Sequence, residues 1–484
     1  MSAAARFRFP RSWPSRLIAI ALSLCSIVAI IGVCWWNRDG TKLLDLGKLA
    51  EYEERSRHAL PTPDYEVERV LYLDQGWTPA DSLDFYSRSQ GSRLIPYAWF
   101  LALEQHDREE LFRSAGNMGR LGYLSQKPHD LNPDGLPVGF ARDPDPVRGD
   151  WLGLTCAACH TSEIYFGKTA IRIDGGPTLG DFQQLHSSLT QALQATFDDP
   201  AKFDRFCERL KVRDRDAFRT RLQMACQART DYESLNSTPH PYGNGRLDAF
   251  GHILNQVIVR DLGNATSEGK PPDAPVSYPF LWDTPHHDFV QWNAIARNQV
   301  LGNDRLGGLV RNVGEVVGVF GEVHVVPLGT TTVFTGYRSS IRVPDLIHLE
   351  EQVRKLRSPE WPEVLPPIDK DKAAAGRVIY EEHCIRCHAH IDRADPSQSI
   401  LAVKTPIRKV GTDPRMAENV ANRSAKTGRV RGRREYFVSG DRFGQTAQAD
   451  SLIVHTVLGV VLNSPRETVW RRKRGGCSRP DSQE

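Results

Sequence analysis

The sequence predicts a mostly α-helical protein with long loops and few short strands, preceded by one transmembrane helix. Apolar side chains recur at helical spacing in several segments, whereas only residues 171–177 have the pattern of a strand followed by a turn. An uninterrupted apolar run close to the N-terminus is long enough to cross a bilayer. These observations together favour helices over sheets.

The composition is that of a globular protein, and 484 residues are enough for two or three domains. The 62 basic residues nearly balance the 59 acidic ones, so the net charge of +3 does not suggest nucleic acid as a partner. The 38 glycines and 31 prolines are typical of a protein rich in loops.

The N-terminus has the charge pattern of an inner-membrane protein. Residues 1–16 contain four arginines and no acid, which predicts a cytoplasmic location. Residues 17–36 contain no charge, and Trp35 and Trp36 lie where an aromatic belt is expected. A cleaved signal peptide is the alternative, but the run is long for one and no small-x-small cleavage site follows. The prediction is therefore an uncleaved anchor with the rest of the chain in the periplasm.

Helical spacing predicts the main elements beyond residue 36. The predicted helical segments are residues 94–103, 179–197, 200–230 as a charged pair, 369–388 and 445–463. The charged pair contains Cys207 and Cys226, which could form a disulfide in an oxidising compartment, although spacing alone does not decide this.

A proline-rich stretch, residues 357–368, has the composition of a stiff linker. It predicts a division into an N-terminal domain, residues 37–356, and a C-terminal domain, residues 369–463. Residues 464–484 form a basic tail without an amphipathic pattern.

Two C-x-x-C-H motifs are the strongest chemical signals in the chain. The first is Cys156-Ala157-Ala158-Cys159-His160 and the second is Cys384-Ile385-Arg386-Cys387-His388. Two cysteines three positions apart can both bond to the vinyl groups along one edge of a porphyrin, and the following histidine can ligate the iron from below. The motifs therefore predict two covalently attached c-type haems, each in a cytochrome c-type domain, with His160 and His388 as proximal ligands.

Other uses of paired cysteines fit the sequence less well. The pairs of a zinc ribbon normally lie about 15–20 residues apart, whereas here the separation is 384 − 156 = 228 residues. A thioredoxin-like pair is expected once, near a βαβ pattern, which the sequence lacks. Disulfide bonding remains a possible alternative for any exported cysteine.

The distal ligands are less well defined by sequence. His455 is predicted to ligate the second iron, because it lies in a segment of otherwise apolar residues where an unsatisfied imidazole would be costly. A histidine that faces water at the helix edge is an equal alternative, and Met416 is a second candidate ligand. Ligation by two histidines would give the second haem a low potential. His186 could reach the first iron, although a satisfied surface or core histidine is the more frequent case.

These residues resemble the dihaem cytochrome c peroxidase superfamily, most closely its branch of rubber-oxygenase-like proteins. The matching phrases are LIPYAWF (residues 94–100), LPVGF (136–140), GLTC with the stretch to IRIDGGP (153–177), GRLDAFG (245–251) and GTDP (411–414). The resemblance implies two mostly α-helical cytochrome c domains that face each other. It also implies one reactive haem and one haem that stores or relays an electron, often through a tryptophan. His160 is then the ligand of the reactive haem and Trp292 the candidate relay.

The expected function is that of an exported di-haem c-type cytochrome, an oxidoreductase that uses peroxide or dioxygen. Its expected partners are an electron-donor or acceptor protein, such as a small cytochrome or cupredoxin, and the inner membrane. Two alternatives remain: an electron carrier without enzymatic activity, and an inactive truncated family member. The second arises because the C-terminal domain lacks the aromatic stretch that the family carries after the helix around His455.

Overall fold

The computed structural model describes residues 67–464, except 292–293, 300–305, 330–334, 393–394 and 396–397. The predicted cytoplasmic segment and anchor, Trp292 and residues 465–484 of the basic tail therefore lie outside the described residues. Among the described helices, none is both long enough and apolar enough to cross a membrane.

The fold is mixed α/β, and the prediction of a mostly α-helical protein is wrong. Helices take up 41% of the described residues and strands and bridges 16%. Each strand has only two to six residues, which is too short for an alternating pattern to stand out in a sequence window. The sheets therefore could not be predicted from the spacing of apolar residues.

The described residues contain thirteen α-helices, separated by short 3₁₀ turns and one π-helix, Gln256–Asp261. The helices are α1 (Pro79–Ser87), α2 (Tyr97–Ala102), α3 (Ala115–Arg120), α4 (Phe182–Asp198), α5 (Pro200–Arg209), α6 (Arg215–Leu235), α7 (Ala249–Asn255), α8 (Leu306–Gly318), α9 (Val343–Val353), α10 (Lys370–His383), α11 (Ile407–Val410), α12 (Arg415–Ala421) and α13 (Ala449–Asn463).

The strands form small sheets throughout the described chain. They are β1 (Arg69–Tyr72), β2 (Ile95–Pro96), β3 (Phe140–Asp143), β4 (Trp151–Leu154), β5 (Thr161–Phe166), β6 (Thr169–Asp174), β7 (Arg246–Leu247), β8 (Val276–Ser277), β9 (Phe289–Val290), β10 (Ala296–Arg297), β11 (Val323–Val325), β12 (Tyr337–Ser339), β13 (Ser424–Lys426), β14 (Arg434–Tyr436), β15 (Ser439–Arg442) and β16 (Thr446–Gln448).

Two of the sheets have three strands, and together they frame the first C-x-x-C-H motif. One has the order β2-β4-β3, with all pairs antiparallel. The other has the order β1-β6-β5, in which β1 runs parallel to β6 and β5 antiparallel to it. The remaining sheets described are two-stranded and antiparallel: β7-β8, β9-β10, β11-β12, β13-β16 and β14-β15.

Local sequence signals account for where several helices begin. A capping box closes the start of α1, where Thr78 accepts from the Asp81 N–H and Asp81 accepts from the Thr78 N–H. Asp181 caps α4 and Asp214 caps α6 more simply, because each side chain accepts one backbone N–H bond, from Gln184 and Ala217 respectively. The helix predicted over residues 94–103 is shorter than expected because Pro96 holds the preceding residue in extended backbone.

Three groups of buried apolar residues form the core. The first joins α2 and α4–α6 with the β2-β4-β3 sheet, and it contains Phe100, Phe140 and Phe206. The second joins the π-helix, α8, α9 and α13 with strands β11–β13. The third, smaller group includes Phe85, Tyr86 and Ala157, so it lies directly beneath the first motif.

The second core contains residues from both sides of the predicted linker. Residues 357–368 form neither a helix nor a strand, but Val457 and Val461 of α13 are buried with Val313 and Val316 of α8. The end of the predicted C-terminal domain is thus packed into the predicted N-terminal one. Helix α10, by contrast, buries none of its residues.

Candidate functional site

The first C-x-x-C-H motif lies between two sheets, directly after β4 and directly before β5. Cys156 begins a 3₁₀ turn, Cys156–Ala158, and Cys159 follows directly after it. The Thr155 hydroxyl caps this turn by accepting a hydrogen bond from the Ala157 N–H. The N–H groups of Cys159 and His160 both donate to the Cys156 carbonyl, at 3.2 and 2.9 Å. The cysteine and histidine side chains are therefore held on one short, tightly bonded turn.

A glycine on the neighbouring segment makes room for this turn. Gly139 has a φ of +82°, and a Cβ at this position would lie 2.0 Å from the Ala158 nitrogen. Its carbonyl accepts from the Thr155 N–H at 2.8 Å. Both the left-handed backbone and the close approach require glycine here.

Replacement of Gly139 by alanine should therefore disrupt the first motif. We expect a loss of about 2 kcal/mol or more in the free energy of unfolding, measured with denaturant, because a backbone clash adds to the left-handed strain. Gly149→Ala is the matched control, since Gly149 has a φ of +81° but nothing within 4 Å of its Cβ position. That control should cost only about 1–2 kcal/mol. Equal losses in the two variants would contradict the proposed role of the close contact.

The His160 imidazole is held in place by a hydrogen bond on one ring nitrogen. Its Nδ1–H donates to the Pro279 carbonyl at 2.7 Å, so Nε2 carries the lone pair. Nε2 itself makes no hydrogen bond to a described residue. Burial lowers the pKa of His160 to about 4, which keeps the ring neutral, as a metal ligand must be. A backbone acceptor on the second nitrogen is the usual way to fix a ligating histidine.

The two thiols of the first motif are free and protonated. Burial raises the pKa of Cys156 to about 11 and that of Cys159 to about 12. Cys156 Sγ accepts from the Gln90 side-chain amide at 3.2 Å. A thioether forms by addition of an S–H group across a vinyl group, so free protonated thiols suit covalent haem attachment.

A buried carboxyl lies near the same turn. Glu315 of α8 accepts from Gln291 Nε2 at 2.6 Å, and burial raises the pKa of this carboxyl. Glu315 is close enough to Cys156 and Cys159 to raise the pKa of both thiols. The first motif thus has a buried carboxyl nearby whose protonated form is favoured by burial.

The second motif adopts the same backbone turn as the first. The N–H groups of Cys387 and His388 donate to the Cys384 carbonyl at 3.0 and 2.9 Å. The turn caps the end of α10, and Tyr380 in its last turn donates to the His388 carbonyl. Two segments more than two hundred residues apart in sequence thus present their cysteines and histidine with matching backbone geometry.

Apolar side chains around the second motif are exposed. Val378 and Ile379 of α10 are 63% and 59% exposed. Val403 and Ile407 are also exposed, and they flank Thr405, whose hydroxyl lies 3.4 Å from Cys387 Sγ. A flat apolar group bonded to Cys384 and Cys387 could therefore pack against these exposed apolar side chains and remove them from water.

His455, the predicted distal ligand, has protein partners on both ring nitrogens. Nδ1–H donates to the Glu435 carbonyl at 2.9 Å, so Nε2 accepts from the Tyr337 hydroxyl. The ring is fully buried and stacks on Phe437 at 4.5 Å between centroids. In this arrangement no lone pair is left for an iron, because the imidazole is satisfied by β12 and β14 instead.

The remaining candidates have separate environments. His186 is buried in α4 and its Nδ1 accepts from Arg229 at 2.7 Å. Met416 is half-buried in α12 beside a cavity of about 190 Å³. Cys207 and Cys226 are both buried in the first core as free thiols.

Sequence reasoning missed the groups that surround His160. The Pro279 carbonyl and the Gln90 amide are ordinary residues in loops, and no motif marked them. Glu315 belongs to no motif either, and its burial depends on packing in three dimensions. In the described part of the chain, no three His, Cys, Asp or Glu side chains converge to hold a metal ion by themselves.

Comparisons with known proteins provide one relative. The chain is similar to the uncharacterized protein y4iJ of Sinorhizobium fredii (strain NBRC 101917 / NGR234), with 29% identity over 427 residues. The alignment covers 75% of this chain and 67% of the relative. No protein-family model and no solved structure matches the chain.

Proposed function

We propose that this protein is an exported di-haem c-type cytochrome that acts as an oxidoreductase on peroxide or dioxygen. The supporting observation is the pair of C-x-x-C-H turns with the same backbone hydrogen bonds, together with the open Nε2 of His160. A turn with a purely structural role would need neither two free thiols nor a histidine whose Nδ1 is hydrogen-bonded so that Nε2 stays open.

The residues of the first motif fit a haem by their chemistry. Cys156 and Cys159 would hold it covalently, and His160 would bind its iron through Nε2. When bound, haem supplies an iron that exchanges single electrons and binds small oxygen ligands at an open position. The Pro279 carbonyl orients the imidazole, and Glu315 can hold a proton at its carboxyl oxygen close to the motif.

The second motif fits a haem in a more exposed setting. Cys384, Cys387 and His388 are the attachment residues, and the apolar side chains of α10 offer surface to the porphyrin. An exposed haem edge suits exchange of electrons with another protein. An electron donor or acceptor such as a small cytochrome or cupredoxin is the partner that follows from this proposal.

Two further parts of the proposal stay predictions. The electron relay through Trp292 concerns a residue outside the described ranges, although its neighbour Gln291 contacts Glu315. The location in the periplasm at the inner membrane follows from haem attachment, which takes place outside the bacterial inner membrane. Fractionation of cells that express the full chain would test the location.

Carbon monoxide binding distinguishes the proposed enzyme from a pure electron carrier. We expect the reduced native protein to show a carbon monoxide shift in its visible spectrum that corresponds to one of two haems. The denatured protein, in which distal ligands are lost, provides the reference for two haems. A native protein that shows no shift would favour the carrier, because the protein would then supply two ligands to each iron and leave no position open for carbon monoxide.

A further inference from the structure

A large cleft lies apart from both C-x-x-C-H motifs. Its volume is about 820 Å³, and no residue of either motif lines it. Helices α2 and α6, strand β4 and the π-helix form its walls. Its lining includes several aromatic and basic side chains, for example Trp99, Trp151, Tyr232, Phe320, Arg229 and Arg260.

Arg229 lines the cleft, and its buried guanidinium has no carboxylate partner among the described residues. Arg229 of α6 is 8% exposed and forms no ion pair with any described residue. Its Nε is buried and has no hydrogen-bond partner within the described part of the chain. Glu233, one turn further along α6, raises the pKa of Arg229 by attraction but is not paired with it. Buried charges are normally paired, so this one is unusual.

The neighbours of Arg229 do not neutralise its charge. Its Nη2 donates to His186 Nδ1 at 2.7 Å, so the His186 proton is on Nε2 and the ring is neutral. His186 is 3% exposed, and its buried Nε2 has no partner among the residues that the structure describes. Burial lowers the pKa of Arg229 only to about 10, so the guanidinium remains charged at neutral pH.

The other basic residues of the cleft fall into two groups. Arg93 and Arg148 are paired with Glu322, and Arg142 is paired with Asp150. Arg221 and Arg260 are exposed and form no ion pair with a described residue, but lie over the rings of Phe218 and Tyr232. Unpaired positive charge is thus concentrated on the α6 and π-helix side.

Backbone geometry at this side is also uncommon. The π-helix Gln256–Asp261 contributes Gln256 and Arg260 to the cleft, and π-helical turns frequently occur at functional sites. Phe320, whose ring lies 5.6 Å from the Arg229 guanidinium, has a φ of +74°. Such a conformation is strained for a bulky residue and is found where the surrounding structure enforces it.

We infer that this cleft binds a small organic carboxylate with an aromatic or apolar body. The carboxylate would pair with Arg229, and the body would lie against the aromatic side chains of the walls. A guanidinium in a dry environment binds a carboxylate strongly, and the lining offers apolar contact that an inorganic anion cannot use. The inference stands apart from haem binding, since it depends on no residue of the two motifs.

Calorimetric titration of the full protein with three probes would test the inference. We expect 2-naphthoate to bind and 2-naphthamide, which has the same ring system without the charge, to bind at least about 10-fold more weakly. Inorganic phosphate should compete only weakly because it has no apolar body. Equal affinity for naphthoate and naphthamide, or tighter binding of phosphate than of naphthoate, would overturn it.

Variants locate the bound anion. Arg229→Gln should weaken naphthoate binding roughly 30-fold or more, because it removes a desolvated charge. Arg215→Gln is the matched control: Arg215 begins the same helix, is exposed and lies outside the cleft. It should leave the affinity unchanged. If Arg229→Gln fails to fold, Arg260→Gln at the exposed rim of the cleft should still weaken naphthoate binding about threefold. An unchanged affinity of the Arg260→Gln variant would count against the inference.

Discussion

Replacement of Cys156 and Cys159 by alanine should leave the exported protein with a single covalently attached haem. The same result is expected for Cys384→Ala with Cys387→Ala, because each motif supplies its own pair of thiols. Intact mass spectrometry after acid extraction would measure this, since only covalently attached haem survives the extraction. Wild-type protein, expressed with a haem-attachment system, should retain two haems.

The chain provides a matched control for this experiment. Cys207 and Cys226 are also free thiols, but they are buried in the first core without an adjacent histidine motif. Their double alanine variant should retain both haems, although lost packing lowers its stability by about 1–2 kcal/mol. A wild-type protein with no added haem mass would refute the cytochrome proposal and revive a zinc site at the cysteines.

Replacement of His455 by alanine should destabilise the protein strongly. The variant loses a fully buried ring stacked on Phe437, and it leaves the Tyr337 hydroxyl and the Glu435 carbonyl without their partner. We expect a loss of about 3–5 kcal/mol in the free energy of unfolding, measured with denaturant. Tyr337→Phe removes only one of these hydrogen bonds and should cost about 1–3 kcal/mol.

The spectrum of the second haem decides between a structural and a ligating role for His455. Because both ring nitrogens have protein partners, the visible spectrum of the folded His455→Ala variant should match that of the wild type. Conversion of one haem to a high-spin form would instead show that His455 is its distal ligand. Met416→Ala provides the comparison for the other candidate ligand.

The pH dependence of stability provides a second measurement of His455. Burial lowers the pKa of His455 from 6.5 to about 4, so the unfolded state binds a proton at a higher pH than the folded state. Stability from the neutral ring is therefore complete above about pH 6.5 and is lost as the pH falls towards 4. The stability difference between wild type and His455→Gln should shrink by roughly 1.4 kcal/mol per pH unit in that range. His240→Gln, at an exposed position, is the control.

Local features of the chain could be predicted from the sequence because they depend on nearby residues. The helix predicted over residues 179–197 is observed as α4, and the one predicted over 445–463 as α13. Each has many apolar side chains at helical spacing, so its period is clear over several turns. The spacing within each C-x-x-C-H motif likewise brings its three side chains to one turn.

The class of the fold could not be predicted, because its sheets pair segments that are distant in sequence. Strand β1 pairs with β6 so that Arg69 lies opposite Thr169, and β2 pairs with β4 through Ile95 and Leu152. Such pairs depend on tertiary contacts and not on the two to six residues of each strand. The packing of α13 against α8 is also a contact between segments that are distant in sequence.

The sequence by itself therefore determined which side chains are candidates for haem attachment, and the tertiary structure decided which of the buried histidines keep an open ring nitrogen. His160 and His455 are both buried, but a single backbone carbonyl from Pro279 leaves one nitrogen of His160 open. His455 instead meets Tyr337, 118 residues away, and Glu435, so that both its nitrogens are occupied. The physical reason is that covalent spacing is local, whereas the hydrogen bonds that satisfy a buried ring come from any segment that packs against it.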